Sequence, residues 1–136
     1  IREMKKCFSG FTPKSVEDSL SSYAHQNVRF HNQIIQASHN QKLMAIIRNL
    51  FDQMDMVRLH TIVLPGRARK SLAEHQHIIR LIEKRRGKEA EKFLRAHIQS
   101  LHEAVLKVPK FRSHIKTAIY KETGLFPLTT EKAVIK

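Results

Sequence analysis

Apolar residues recur every three to four positions through most of this chain of 136 residues. No stretch of useful length alternates with the two-residue period of a strand, so the pattern predicts an all-α protein. Thr12-Pro13 opens the first long helix, with proline at the first helical position. Its stripe runs Val16, Leu20, Ala24 and Ile34, with Asn27 and His31 on the same line. Asn40 caps a second helix with the stripe Leu43, Ile47, Leu50, Met54 and Val57, and Pro65-Gly66 breaks it. A basic link, Arg67 to Lys70, leads to Ser71-Leu72-Ala73-Glu74, a capping-box pattern that starts a third helix with the stripe Leu72, His75, Ile79 and Ile82. Gly87 ends it. A fourth helix from Lys88 to Val108 carries Ala90, Leu94, His97, Leu101 and Val105, and Pro109 stops it. A fifth runs from Lys110 to Glu122 and ends at Gly124. Residues 125–136 read as a tail. Short connections make neighbouring helices antiparallel, giving a bundle of about five to six helices over residues 1–124.

The pattern puts histidine on three inner stripes: His31, His75 and His97. His75 precedes Gly87 by twelve residues and His97 follows it by ten. At ~1.5 Å per residue they lie ~18 and ~15 Å from the same turn, nearly level across a helical hairpin. Asn27 and His31 are four residues apart and share a face. Packing the first helix over the hairpin brings four polar side chains to one point. Arg58, beside the stripe of the second helix, is a candidate fork for a ligand carboxylate. His77 is turned away from His75, and His25, His39, His60, His102 and His114 read as off-face or ambiguous.

Bulk properties narrow the setting. The chain is long enough for one domain with its own core. Cys7 is the one cysteine, which fits a reducing, cytoplasmic location and excludes an internal disulfide. No apolar run reaches the ~18 residues of a membrane span. The net charge is +13. Residues 1–66 hold eight Lys/Arg against five Asp/Glu, and residues 67–136 hold seventeen against seven, so the basic field is concentrated in the second half. Such a field attracts anions. The chain begins with Ile1 and shows no secretory signal, which predicts a piece of a longer protein.

Two segments together carry a family resemblance. Asn27-Val28-Arg29-Phe30-His31, followed by Ile34, Ala37-Ser38 and Asn40, resembles a D-x-x-F-H…A-x-x-N signature. Glu74-His75, Ile78, Ile82, Ala90, Leu94 and His97-Ile98 resemble an E-H-x-x-I…A…H-[LI] segment, with its 22-residue histidine spacing. Over residues 2–105 the chain is similar to the FCD effector-binding domain of GntR-type bacterial transcription regulators. The resemblance implies a homodimeric sensor whose winged-helix DNA-binding domain lies outside this chain, as does a first effector-domain helix that often carries a ligand-contacting arginine. It also implies a divalent ion such as zinc or nickel, held at Asn27, His31, His75 and His97, with a small carboxylate effector completing the coordination. The chain departs from the signature at Asn27, where the family usually has aspartate. A neutral amide is a poorer ligand, so an anionic effector must supply the missing charge.

The expected function is therefore that of a non-enzymatic regulator domain. Two other classes compete with it. Lys84, Arg85, Arg86 and Lys88, followed by Lys107, Lys110, Arg112, Lys116 and Lys121, would support direct nucleic-acid binding by counterion release, but no base-stacking or groove-reading motif accompanies them. Three histidines around an open metal would suit a hydrolase. The chain lacks H-E-x-x-H, a phosphate loop and a clear nucleophile, and Glu74 is assigned to the capping box.

Overall fold

The computed structural model describes residues 1–108, apart from the side chains of Asn49, Asp52, Gln53 and Met56. The fifth helix expected at Lys110–Glu122, the boundary at 124, the tail and His114 lie outside the described residues. Five helices are described: α1 Arg2–Phe8, α2 Leu20–Gln36, α3 Gln41–Ile62, α4 Arg67–Glu83 and α5 Gly87–Val105. No strand occurs among the described residues, and none of the described helices is long and apolar enough to cross a membrane. The all-α expectation holds. The α4–α5 hairpin forms one wall, α1 and α2 lie across it, and α3 packs on α2, α4 and α5.

Residues 2–8 had been given no element. Their apolar positions Met4, Cys7 and Phe8 are spaced i, i+3, i+4 and are all buried, but seven residues are too few to show a period. Thr12 does cap a turn. Thr12 N–H donates to Ser15 Oγ and Ser15 N–H to Thr12 Oγ1, each at 3.1 Å. The turn closes with Val16 N–H to Thr12 O, then tightens to three-residue bonds at Asp18 and Ser19, so the long helix starts seven residues later than the proline suggests. Asn40 caps α3 as expected, its Oδ1 accepting from Leu43 N–H at 2.9 Å.

The boundaries of the hairpin differ from expectation. Gly66 adopts a left-handed conformation (φ 72°) and turns the chain directly into α4, so Arg67–Lys70 is helix and not a link. Ser71 is consequently more than a turn inside the helix and buried, and the Ser71–Glu74 pair caps nothing. At the other end Arg85, not Gly87, takes the left-handed position (φ 55°). Arg86 N–H donates to Leu81 O and Arg85 N–H to Ile82 O, the bond pair of a Schellman motif. Gly87 is instead the first residue of α5.

Aromatic residues fill the centre. Phe8, Tyr23 and Phe30 pack around the His75 ring, with Phe8 stacked on it at 5.0 Å and Phe30 tilted against it at 4.6 Å, and Phe11 packs edge-on against Tyr23. The stripe of α3 is covered only in part. Arg58, Thr61 and Ile62 are buried, but Leu43 and Leu50, read as core, are exposed. The first half of α3 lies beside the C-terminal end of α2, where Met44, Ile47 and Phe51 line a groove with Asn32, Ile35 and Gln36.

A left-handed arginine costs about 1 kcal/mol relative to glycine. Arg85→Gly is expected to raise the stability measured by urea denaturation by roughly that amount. A destabilised Arg85→Gly protein would show that the arginine side chain makes a compensating contact.

Candidate functional site

Tyr23, Asn27 and His31 lie at i, i+4 and i+8 of α2, so all three project onto the hairpin. His75 stands at the middle of α4 and His97 at the middle of α5. The level pairing inferred from sequence is realised: the two rings are 4.6 Å apart, and His31 lies 5.1 Å from His75 and 5.3 Å from His97. All three are buried, and one ring nitrogen from each lies within 4.8 Å of the others. Asn27 and Arg58 line the same cavity as His31 and His97, together with Thr61, Ile62, Arg67, Ser71 and Leu101. Of the remaining histidines, His25, His39, His60 and His102 are exposed, and His77 packs on Phe93.

Hydrogen bonds fix the far side of two rings. His97 Nδ1 is 2.7 Å from Glu74 Oε2, and His75 Nδ1 is 3.1 Å from the Tyr23 hydroxyl. Their Nε2 atoms meet at 3.1 Å. Burial alone would raise the Glu74 carboxyl. The interactions with His97 and Arg67 outweigh it and hold the group below its ordinary value of 4.5. Glu74 is thus a carboxylate that accepts from His97 Nδ1–H, which leaves His97 Nε2 as a bare acceptor. With His97 protonated on Nδ1 alone, the 3.1 Å contact has His75 Nε2–H donate to it and Tyr23 O–H donate to His75 Nδ1. A proton relay of this kind accounts for His75 and His97 as ordinary core residues.

It does not account for the other atoms. Four buried side-chain polar atoms among the described residues lack a partner, and three of them belong to this cavity: Asn27 Oδ1, His31 Nε2 and Arg58 Nη2. Each such atom costs ~1–3 kcal/mol, so their collection at one point marks a place built for an occupant. The donor set suits a divalent ion. Imidazole nitrogens bind Zn²⁺ at about 2.0–2.1 Å, and two on one ion at tetrahedral or right angles stand roughly 2.9–3.4 Å apart. The observed Nε2···Nε2 separation is 3.1 Å. For both Nε2 atoms to face an ion, the His75 proton must sit on Nδ1 and be donated to Tyr23, an exchange the hydroxyl permits. Glu74 and Tyr23 then orient the ring ligands from behind.

Arg58 is buried on α3. Nη1 pairs with Asp55 Oδ1 at 2.5 Å, and the guanidinium lies over the Phe51 ring at 4.9 Å from its centroid. Burial pulls its pKa below the usual value despite Asp55. The remaining nitrogen, Nη2, is the orphan that borders the cavity, so the arginine can fork onto an anion there. Arg67, also buried, pairs with Glu74 at 3.4 Å. The cavity itself is ≈ 10 Å³, room for about one water molecule. The His75 and His97 nitrogens already stand at a spacing that suits one ion, whereas anything larger than a water molecule must displace side chains that line the cavity.

Sequence reasoning missed Tyr23, Arg67 and the true role of Glu74. Tyr23 shares the i, i+4, i+8 line with Asn27 and His31 and was legible there. Arg67 was read as a link. Starting α4 at Gly66 puts Arg67, Ser71, Glu74 and His75 on one face. Glu74 was assigned to a cap that α4 does not need, and it is bonded to His97 instead.

The family model of the FCD domain matches residues 1–100. The chain belongs to the FCD domain family. Comparison with curated proteins and with solved structures gave no match in either case.

Burial holds His31 and His75 well below 6.5, and the charges of Arg58 and Arg67 push them the same way. The unfolded chain therefore binds more protons than the folded one as pH falls below 6.5. The contribution of each imidazole to stability is complete above about 6.5, declines as pH drops through the window beneath it, and is gone once the lower folded values have been passed. Urea denaturation in metal-free buffer is expected to show stability falling between pH 6.5 and pH 5, by up to ~1.4 kcal/mol per pH unit for each histidine. A profile flat over that interval would mean that the two rings are not held neutral by the core.

Proposed function

We propose that this chain is the ligand-sensing and dimerising domain of a GntR-type transcription regulator, and that it senses a small carboxylate through a divalent ion held by His31, His75 and His97, with Asn27 Oδ1 beside them. The single observation that supports this most is the convergence of three unpartnered buried polar atoms, Asn27 Oδ1, His31 Nε2 and Arg58 Nη2, on the cavity bordered by the histidines. An ion satisfies the first two and an anion the third. Membership of the FCD family agrees with a binding domain. So does the disposition of acids: Glu74 is bonded to His97 and Asp55 to Arg58, so neither is placed as a general base on a bound water. The ion would polarise and fix the carboxylate, and zinc or nickel both suit a set of imidazoles.

The residues of the chain then divide the work. His31, His75 and His97 hold the ion, Tyr23 and Glu74 fix the ring orientations, and Arg58 receives the anion. Because the cavity is nearly closed, an effector forces the side chains that line it to shift. That shift is the differential interaction through which a ligand changes the population of two domain arrangements. Its output would be the spacing of two DNA-binding domains carried by a homodimer in the cytoplasm, beyond the bundle that reaches from residue 1 to about residue 124.

Metal analysis of protein purified without added metal or chelator tests this directly. Zinc or nickel, retained together with a carboxylate carried through purification, is expected in the unaltered protein, and loss of it in both His75→Ala and His97→Ala. Small carboxylates should then raise the thermal midpoint of the loaded protein and not of Arg58→Ala. A protein that takes up no ion even when zinc is supplied contradicts the metal-centred reading.

A further inference from the structure

The group of residues placed to hold an ion has an unusual charge balance. It consists of three imidazoles, His31, His75 and His97, joined by the amide of Asn27. Both kinds of ligand are neutral. No carboxylate belongs to the group, and the two nearest acids are committed elsewhere. Glu74 lies behind His97 on its Nδ1 side and is shared with Arg67. Asp55 is bound to Arg58 Nη1. Two buried guanidiniums, Arg58 and Arg67, line the cavity, and one nitrogen of Arg58 has no partner.

A dication entering this cavity gains three good nitrogen ligands but no negatively charged ligand, and it meets the positive edge of Arg58 in a poorly screened interior. An anion entering alone gains Arg58 Nη2 but faces the Asn27 Oδ1 acceptor, which repels it. Each occupant therefore removes what opposes the other. Resting on the metal-and-carboxylate reading above, we infer that the site is a coincidence detector: the divalent ion and the carboxylate each bind weakly alone and strongly together, and the neutral side chain of Asn27 is what makes them interdependent. The regulator would then respond to its effector only where the ion is supplied, and would hold the ion only where the effector is present.

The inference makes Asn27 a specificity-determining residue. A carboxylate in its place supplies inside the protein the charge that otherwise has to come with the ligand. By thermodynamic linkage the enhancement is reciprocal: the factor by which carboxylate tightens the ion equals the factor by which the ion tightens carboxylate.

Isothermal titration of the chelator-stripped protein with Zn²⁺, in the absence and presence of acetate, measures the coupling. The complementary titration with acetate, in the absence and presence of Zn²⁺, measures it from the other side without any substitution. In the unaltered chain zinc is expected to bind about tenfold or more tightly with acetate, and acetate to gain by the same factor from zinc. Asn27→Asp is expected to bind zinc tightly without acetate and to lose most of the acetate effect. If the unaltered chain binds zinc equally tightly with and without acetate, the interdependence is refuted while the metal site stands. If zinc binds to neither the unaltered chain nor Asn27→Asp, with or without acetate, the metal-centred reading falls and the inference with it. A circular-dichroism melt of Asn27→Asp checks its fold, and the reciprocal acetate titration decides the matter in the unaltered chain if that variant is unfolded.

Discussion

Three imidazoles in the middle of a small helical core are the constraint around which the rest of the molecule is arranged. Burial strips His31, His75 and His97 of water, so their ring nitrogens must be given partners or an occupant. The sequence answers on each helix in turn. Phe8, Tyr23 and Phe30 close around His75, and stacking aromatic rings on an imidazole excludes water from it. Glu74 and Tyr23 take the outward nitrogens of His97 and His75. Arg67 neutralises the carboxylate that this requires. Even α1, seven residues long, exists to place Met4, Cys7 and Phe8 over the same centre.

On the proposed reading the core has two tasks that pull against each other. For stability, His75 and His97 need only the proton relay from Tyr23 to Glu74. For binding, their Nε2 atoms must be free at the same moment as His31 Nε2 and Asn27 Oδ1. One hydroxyl resolves the conflict, because Tyr23 can donate to His75 Nδ1 in one state and accept from it in the other. The orphan nitrogen of Arg58 extends the polar centre toward α3, the helix whose first half is least covered by the described bundle.

Much of this was legible in the order of residues. The all-helical class, the cap at Asn40, the sharing of one face by Asn27 and His31, and the level placement of His75 and His97 all follow from helical spacing and short connections. What was lost lay at helix ends and in partner choice. The Arg67–Lys70 segment looked like a link because it is basic, yet a left-handed glycine in front of it lets the helix begin at once. Ser71 and Glu74 matched a capping box in sequence but sit inside the helix, where one is packed and the other is bonded across the hairpin. Arg85 holds a backbone position that favours glycine, which hides the true end of α4. The stripe of α3 has core periodicity throughout, and only tertiary packing decides that Leu43 and Leu50 stay outside the described core. The family signature found both histidine segments without any of these boundaries, because its positions lie in the middles of helices.

The account rests on the claim that the His75 and His97 Nε2 atoms belong to an ion site and not to a fixed structural relay. Long-range ¹H–¹⁵N correlation spectroscopy of uniformly ¹⁵N-labelled protein reads histidine tautomers directly. Without metal, His75 is predicted to carry its proton on Nε2 and His97 on Nδ1. On addition of zinc the His75 proton is predicted to move to Nδ1, and the Nε2 resonances of His31, His75 and His97 should shift together. Tautomers and shifts unchanged at saturating zinc would contradict the account and leave the three histidines as a structural core.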